Sequence, residues 1–305
     1  MNLWRLQTNT ASEEHGDIAG LCLKNGIMAM GWSINETPVE NHCGKLSFDE
    51  YKALYIANNN EKRVNSNVTN FAHSIKEDDL VWMRYHGIYY LGRVCKNSVW
   101  QYICDKEAVE YDAFNQRTDI EWHKIGDESQ IIGAISTSLI RGKTLQMIHK
   151  EGACDFSKWM YNRVAGCEYY NDINFKSSIG TFFSSISPYE CEDLLCLWLY
   201  SKFGYIVIPS TCKPATQTYE CVLVNPKTGK HIYPQVKNGE QKLYAKDFIH
   251  LNGEVWLLST KGEVFADESK NIFKADPEVL YRFACSDEAK NLLPSNISAW
   301  YQKII

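Results

Sequence analysis

The sequence lacks the segments that would place a protein in or across a membrane. It contains no run of about 18 or more apolar residues. Its first residues, MNLWRLQTNT, lack the basic and apolar regions of a signal peptide. We therefore expect a cytosolic protein with no membrane partner.

The chain also lacks an excess of positive charge. The formal net charge of -5 excludes a protein whose whole surface attracts polyanions. This net charge is compatible with a local basic groove, because the binding of a polyanion depends on the electrostatic field within a cleft and not on the total charge. The composition, 45% hydrophobic and 23% charged, indicates a folded globular protein.

Zinc-knuckle spacing is absent too. The 11 cysteines include no pair separated by two residues. Most lie in apolar stretches such as LLCLWLY and YECVLV, where cysteine behaves as a small hydrophobic residue. We expect buried free thiols.

A chain of 305 residues exceeds the size at which one core stops growing, so we expect two domains. The predicted boundaries are 1–150, an irregular connection with room for one helix at 151–185, and 186–305. The first part carries short strand signals, with a hairpin predicted at His86-Gly87. Ser47 and Glu50 form a predicted capping box at the start of a helix. Many short strands with few helices favour a small, partly closed β-barrel.

The second part is predicted to be an α/β domain. A helix of about four turns is predicted from Ser187, with Pro188 inside its start and Gly204 at its end. Strands follow at 205–210, 218–225, 231–237 and 255–260, and a turn at 226–229 joins the second to the third. Further helices are predicted at 277–286 and around 296–304.

Four side chains in this part suit metal-dependent cleavage of a phosphodiester. Glu220 lies on one predicted strand, and Gln235 and Lys237 lie at i and i+2 on the next, so the latter two share a face. Oxygen ligands hold Mg²⁺, and a nearby cation assists at the phosphate or the attacking water. The preceding helix offers Glu192 as a further acid, with Glu190 and Asp193 as alternatives.

These residues lie in segments that resemble a known enzyme family. The segments PYECEDLLCLWLYSKFGYIVI, TYECVLV and KHIYPQVKNG together resemble the Mrr-like branch of the PD-(D/E)xK restriction endonucleases. The resemblance implies Glu192 as the helix acid, Glu220 as the principal ligand of Mg²⁺ (with Mn²⁺ as a substitute), and Lys237 as the cation. Gln235, with the carbonyl of Val236, completes the implied ligand set. The usual strand acid is Asp, and Glu220 is one methylene longer.

The first half resembles the PUA-like superfamily, including EVE-type readers of modified bases. The resemblance rests on GIMAMGWSI and EDDLVWMRYHGIYYLGRVCKNSVWQY, and extends through RTDIEWHKIG. Such folds hold a flipped nucleotide among aromatic rings. The candidate base-binding residues are Trp32, Trp82, Tyr89, Tyr90 and Trp100. The candidate phosphate-binding residues are Arg84 and Arg93, with His86. Core packing is the alternative for each aromatic, and a solvated surface charge is the alternative for each cation.

Together the two resemblances imply a modification-dependent DNA endonuclease of a restriction system, acting against foreign DNA. Cutting both strands needs two sites, so we expect a homodimer or higher oligomer. One alternative is a catalytically silent nucleic-acid-binding or signal-sensing module with a nuclease fold. Another is an RNA-directed nuclease.

Overall fold

The structure is a computed structural model that describes residues 1–8, 16–35, 43–140, 142–174, 178–212, 219–294 and 297. The chain divides into two compact units. Unit 1 comprises Met1–Ile131 and Ile135–Asn174, and unit 2 comprises Ile132–Ala134 and Phe175–Ile305. The architecture is mixed α+β with several sheets. The helix predicted around 296–304 lies outside the described residues, apart from residue 297.

The helices in the described residues are α1 (Ile18–Asn25), α2 (Phe48–Asn58), α3 (Ser66–His73), α4 (Lys106–Glu110), α5 (Gly133–Ser138), α6 (Ala153–Ala165), α7 (Ile179–Ser185), α8 (Pro188–Phe203) and α9 (Pro277–Ala284). The strands of unit 1 are β1 (Leu3–Leu6), β2 (Met28–Met30), β3 (Leu80–Tyr85), β4 (Ile88–Val94), β5 (Trp100–Tyr102), β6 (Asn115–Arg117), β7 (Ile120–Gly126) and β8 (Leu145–Met147). Those of unit 2 are β9 (Ile206–Val207), β10 (Leu223–Val224), β11 (His231–Lys237), β12 (Leu243–Tyr244), β13 (Glu254–Ser259), β14 (Val264–Phe265) and β15 (Ile272–Lys274). None of these helices has the length and apolar character needed to cross a bilayer.

Unit 1 contains two sheets and, within its described residues, no closed barrel. One sheet has the order β7-β4-β3-β1-β8, and the other has the order β2-β6-β5. The partly closed barrel predicted from the sequence is therefore not confirmed. Leu80 to Met83 of β3 are all buried, so β3 is covered on both faces as the central strand of an open sheet is. The hairpin predicted at His86-Gly87 is confirmed, because β3 and β4 pair antiparallel up to Tyr85 and Ile88.

Helix α6 lies in the stretch that the sequence analysis described as an irregular connection with one helix, and it belongs to unit 1. Its Ser157 hydroxyl accepts a hydrogen bond of 2.8 Å from the indole N–H of Trp82. Its Tyr161 hydroxyl donates to Glu121 Oε2 and accepts from Arg93 Nε, both at 2.7 Å. These polar contacts fix the helix against strands β3, β4 and β7.

Unit 2 is built on a five-stranded sheet with the order β15-β13-β11-β10-β9. Strands β9, β10 and β11 form an antiparallel meander, and β13 then pairs parallel to β11. Helix α8 packs on this sheet, and its buried Leu194 and Leu195 share a core with Ile232 and Val236 of β11. The end of β11 and the buried face of α8 are therefore brought together.

Candidate active site

The cap of helix α8 determines which of its acids is available. Ser187 Oγ accepts from the Glu190 N–H at 3.1 Å, and the Glu190 carboxylate accepts from the Ser187 N–H. This confirms a capped start at Ser187 and occupies Glu190. Asp193 is exposed, whereas Glu192 is half-buried and close enough to Glu220 and Lys237 for their charges to shift its pKa. The helix therefore presents Glu192 to the site.

Backbone hydrogen bonds hold Glu220 against β11. The Glu220 N–H donates to the Pro234 carbonyl at 2.9 Å, which places this residue beside the last part of the strand. Its carboxylate turns back toward β11, where Oε1 accepts from the Val236 N–H at 3.3 Å and from the side-chain amide of Gln235. The carboxylate and the amide predicted to act together are therefore in direct contact.

Lys237 is the third member of the cluster, which also contains Glu220 and Gln235. Its Nζ lies 4.0 Å from Glu220 Oε1. The Lys237 side chain is 36% exposed and that of Glu220 is 19% exposed, so a substrate can reach both groups. Val236, between Gln235 and Lys237, is buried against α8, and its carbonyl accepts from Gln235 Nε2 at 3.4 Å.

The electrostatics of this cluster act on Glu192. Burial, followed by the negative charges of Glu220 and Asp193, raises the pKa of Glu192 to about 7. Lys237 opposes this shift but does not cancel it. Glu192 therefore carries a carboxyl group whose charge changes near neutral pH.

The donor set fits a hard divalent cation that keeps part of its water shell. Gln235 Nε2 faces the Glu220 carboxylate, whereas Gln235 Oε1 is buried and has no hydrogen-bond partner, so the same side chain also carries an oxygen capable of ligation. Among the described residues no three His, Cys, Asp or Glu side chains form a metal-holding group. Mg²⁺ does not require such a group, because it is commonly bound by one or two carboxylates together with waters and substrate phosphates.

Two thiols next to the candidate acids lie close to each other, and the sequence analysis did not predict this proximity. Cys196 Sγ is 3.6 Å from Cys221 Sγ. Cys196 follows Glu192 by four residues on α8, and Cys221 directly follows Glu220. These local relations connect each cysteine to one of the acids, but the two sulfurs meet only through the packing of α8 on the sheet, which local sequence signals do not show.

In unit 1, the aromatic candidates for base binding lie in different environments. Trp82 and Tyr89 are buried in the fold, at 0% and 1% exposure, so their rings present no surface to a ligand. Trp100 is partly buried and packs edge-on against Phe48, with ring centroids 5.2 Å apart. Tyr90 is half-buried on β4.

Trp32 lies at a cavity of about 550 Å³. The lining also includes Tyr55, Arg63, Asn65 and Asn70, which the sequence analysis did not select. Trp32 has φ of 67°, a left-handed conformation that is costly for a bulky residue.

The surrounding fold holds Trp32 in that conformation. Its carbonyl accepts from the Tyr51 hydroxyl at 2.8 Å and from Asn115 Nδ2 at 3.3 Å. Asn115 Nδ2 also donates to the Gly31 carbonyl at 2.6 Å. Both partners are buried, so the strained turn at the end of β2 is fixed from inside the unit.

The two candidate phosphate-binding arginines differ in their freedom. Arg84 is exposed and lines a small cavity of about 190 Å³ together with Thr8 and His86. Arg93 is engaged on several sides: its Nη2 lies 2.7 Å from Glu121 Oε2, and its Nη1 lies 3.3 Å from Asp78 Oδ1. Of the two, Arg84 has its charge available to a ligand.

No family model, no curated protein and no solved structure matches this chain.

Proposed function

We propose that the chain is a metal-dependent phosphodiester hydrolase that cuts DNA with unit 2 and contacts nucleic acid with unit 1. The observation that carries the proposal is the meeting of Glu220, Gln235 and Lys237 at the end of β11, with Glu192 facing them from α8. Two acids, an amide and a lysine on a helix-and-meander core support the Mrr-like PD-(D/E)xK assignment.

Each residue then has a defined task. Glu220 and Gln235, with the Val236 carbonyl, would hold Mg²⁺ or Mn²⁺. When bound, the ion activates water and stabilises negative charge on the phosphate. Lys237 places a positive charge beside the same point and neutralises a phosphate oxygen or orients the attacking water. The added methylene of Glu220 is accommodated, because its carboxylate folds back to the Val236 N–H.

Unit 1 supplies recognition in this proposal. The Trp32 cavity combines an aromatic ring with the amides of Asn65 and Asn70 and the cation of Arg63, a composition suited to a planar base. These features support the PUA-like assignment and a preference for modified or extruded bases. Restriction of foreign DNA, and a homodimer for cutting both strands, belong to the same proposal.

Plasmid nicking tests the catalytic part. Purified chain is incubated with modified and unmodified supercoiled plasmid, with Mg²⁺, with Mn²⁺ and with chelator. We expect metal-dependent nicking that Lys237→Ala lowers by about 10²–10³-fold. Lys230→Ala is the matched control, because Lys230 is an exposed lysine directly before the same strand. Equal nicking by both variants contradicts the role of Lys237.

A second function, nucleic-acid binding without cleavage, is favoured by one observation. Glu220 already accepts two hydrogen bonds from β11, so the cluster is satisfied in part without an ion. If wild type and Lys237→Ala are equally inert while binding persists, this second function is correct. Parallel binding curves with DNA and RNA across a salt series identify the nucleic acid.

A further inference from the structure

Three cysteines of unit 2 lie together beside the candidate active site. Cys196 and Cys221 are buried, at 9% and 5% exposure, and their sulfurs are 3.6 Å apart. Cys212 is exposed, and its thiol interacts with that of Cys221. Cys221 therefore lies between Cys212 at the surface and Cys196 on helix α8.

We propose that Cys212, Cys221 and Cys196 form a thiol relay, in which a peroxide closes a Cys196–Cys221 disulfide that switches the candidate active site off. The inference rests on the proposed function for its effect on activity. Its chemistry stands on the cysteine geometry alone.

The order of the relay follows from exposure. Peroxide first meets Cys212, where the thiol attacks one peroxide oxygen, the O–O bond breaks, and a sulfenic acid and one water form. The Cys221 thiol attacks the sulfenic sulfur, a disulfide between Cys212 and Cys221 forms, and a second water leaves. The Cys196 thiol then attacks the Cys221 sulfur and releases Cys212 as a thiol.

The reaction balances. Two thiols lose two electrons and two protons in total, and one hydrogen peroxide is reduced to two waters. Cys212 ends as it began, so it acts as the entry point and the final bridge joins the two buried sulfurs.

The Cys196–Cys221 disulfide is expected to displace Glu192 and Glu220, because each cysteine is close to one of these acids along the chain. A disulfide has an S–S distance of about 2.05 Å, so the sulfurs must approach by about 1.5 Å from 3.6 Å. Cys221 is the neighbour of Glu220, and Cys196 lies one helical turn from Glu192. Metal sites tolerate errors of about 0.2 Å in ligand distance, which is much smaller than this movement.

The experiment uses the full reduced chain treated with a hydrogen peroxide series. Peptide mapping without reductant locates disulfides, and metal-dependent nicking is followed in the same samples before and after dithiothreitol. We expect a Cys196–Cys221 bridge, a fall in nicking of about tenfold or more, and recovery on reduction. Cys285→Ser, which removes another exposed thiol of unit 2, is expected to behave as wild type.

Two variants test the relay itself. Cys212→Ser is expected to keep full nicking when reduced and to form the Cys196–Cys221 bridge about tenfold more slowly. Cys196→Ser is expected to accumulate the Cys212–Cys221 bridge. Bridge formation at the wild-type rate in Cys212→Ser overturns the relay, and the absence of any bridge at Cys221 in wild type overturns the switch.

The mapping separates this inference from the proposed function. A reduced wild type that does not nick contradicts the proposed function while the bridge is still observed. An active wild type that keeps its nicking when the bridge has formed contradicts the switch alone.

Discussion

The side-chain amide of Gln235 donates to the Glu220 carboxylate, while the amide oxygen on its other side is buried without a partner. A buried oxygen without a hydrogen bond costs free energy, about 1–3 kcal/mol. The cost is recovered when the oxygen ligates a cation. The pair therefore links stability to metal binding, and this link can be measured.

Gln235→Glu is expected to make the free energy of unfolding depend on Mg²⁺. It places a second carboxylate against Glu220 in a buried position, so without metal the free energy of unfolding should fall by about 1–3 kcal/mol at pH 8. Millimolar Mg²⁺ should restore most of this loss, because it binds the folded state. Urea denaturation with Mg²⁺ and with chelator measures both effects.

The control for that variant is Gln241→Glu, which adds the same charge at an exposed position. It should leave the stability unchanged with or without Mg²⁺. A Gln235→Glu variant that Mg²⁺ fails to stabilise would remove position 235 from the ligand set.

Glu192 predicts a pH dependence of stability in the metal-free protein. Its pKa is raised from the ordinary value of 4.5 to about 7 by burial and by neighbouring acids, so the folded state favours the protonated form. The stabilisation is fully present below about pH 4.5 and is lost as pH rises through about 7. Glu192→Gln cannot ionise, so its stability relative to wild type should increase by about 1–3 kcal/mol between pH 5 and pH 8.

Urea denaturation at these two pH values measures the difference, and the exposed Glu240→Gln is the control. A stability difference between Glu192→Gln and wild type that stays constant with pH would show that Glu192 titrates near its ordinary value.

Substitution of Arg84 should change DNA binding, whereas substitution of Arg93 should change the stability of unit 1. Arg84→Ala is expected to reduce the slope of log affinity for duplex DNA against log salt by about 0.9, because one phosphate contact is lost, without changing stability. Arg93→Ala should leave that slope unchanged and lower the free energy of unfolding by about 1–3 kcal/mol, because Glu121 and Tyr161 each lose the hydrogen bond from Arg93. Fluorescence polarisation across a salt series and urea denaturation measure the two quantities, and the reverse result would make Arg93 the DNA contact.

Local rules predicted the parts of unit 2 that build the site. The capping box at Ser187 and the end of the helix at Gly204 depend on residues close in sequence, and both were predictable. The relation of Gln235 to Lys237 on one face followed from strand periodicity. Glu220 was predicted on a strand at 218–225 but lies before β10, and its N–H bond to the Pro234 carbonyl places it beside β11. The proximity of Cys196 and Cys221 required the packing of α8 on the sheet, which periodicity does not determine.

Unit 1 was harder to predict because its organisation depends on distant pairings. Strand β1 pairs with β3, so Leu3 lies opposite Leu80 in an open sheet where the sequence suggested a barrel. The sequence of helix α6 shows no sustained helical periodicity, because its buried polar residues have partners far along the chain or across a loop. Lys158, for example, is buried and lies 2.6 Å from Asp172.

The ring and the backbone of Trp32 can be tested separately. Trp32→Ala should weaken binding of a labelled single strand by about 10–100-fold, because one stacked base contributes about 1–3 kcal/mol. Trp32→Gly should show the same loss of affinity but unfold with a free energy about 1 kcal/mol higher than the alanine variant, because glycine accepts φ of 67° without strain. Trp159→Ala, at a different cavity of unit 1, is the control and should bind as wild type. Fluorescence polarisation and urea denaturation measure both effects, and unchanged binding in both Trp32 variants would mean that the ring serves packing alone.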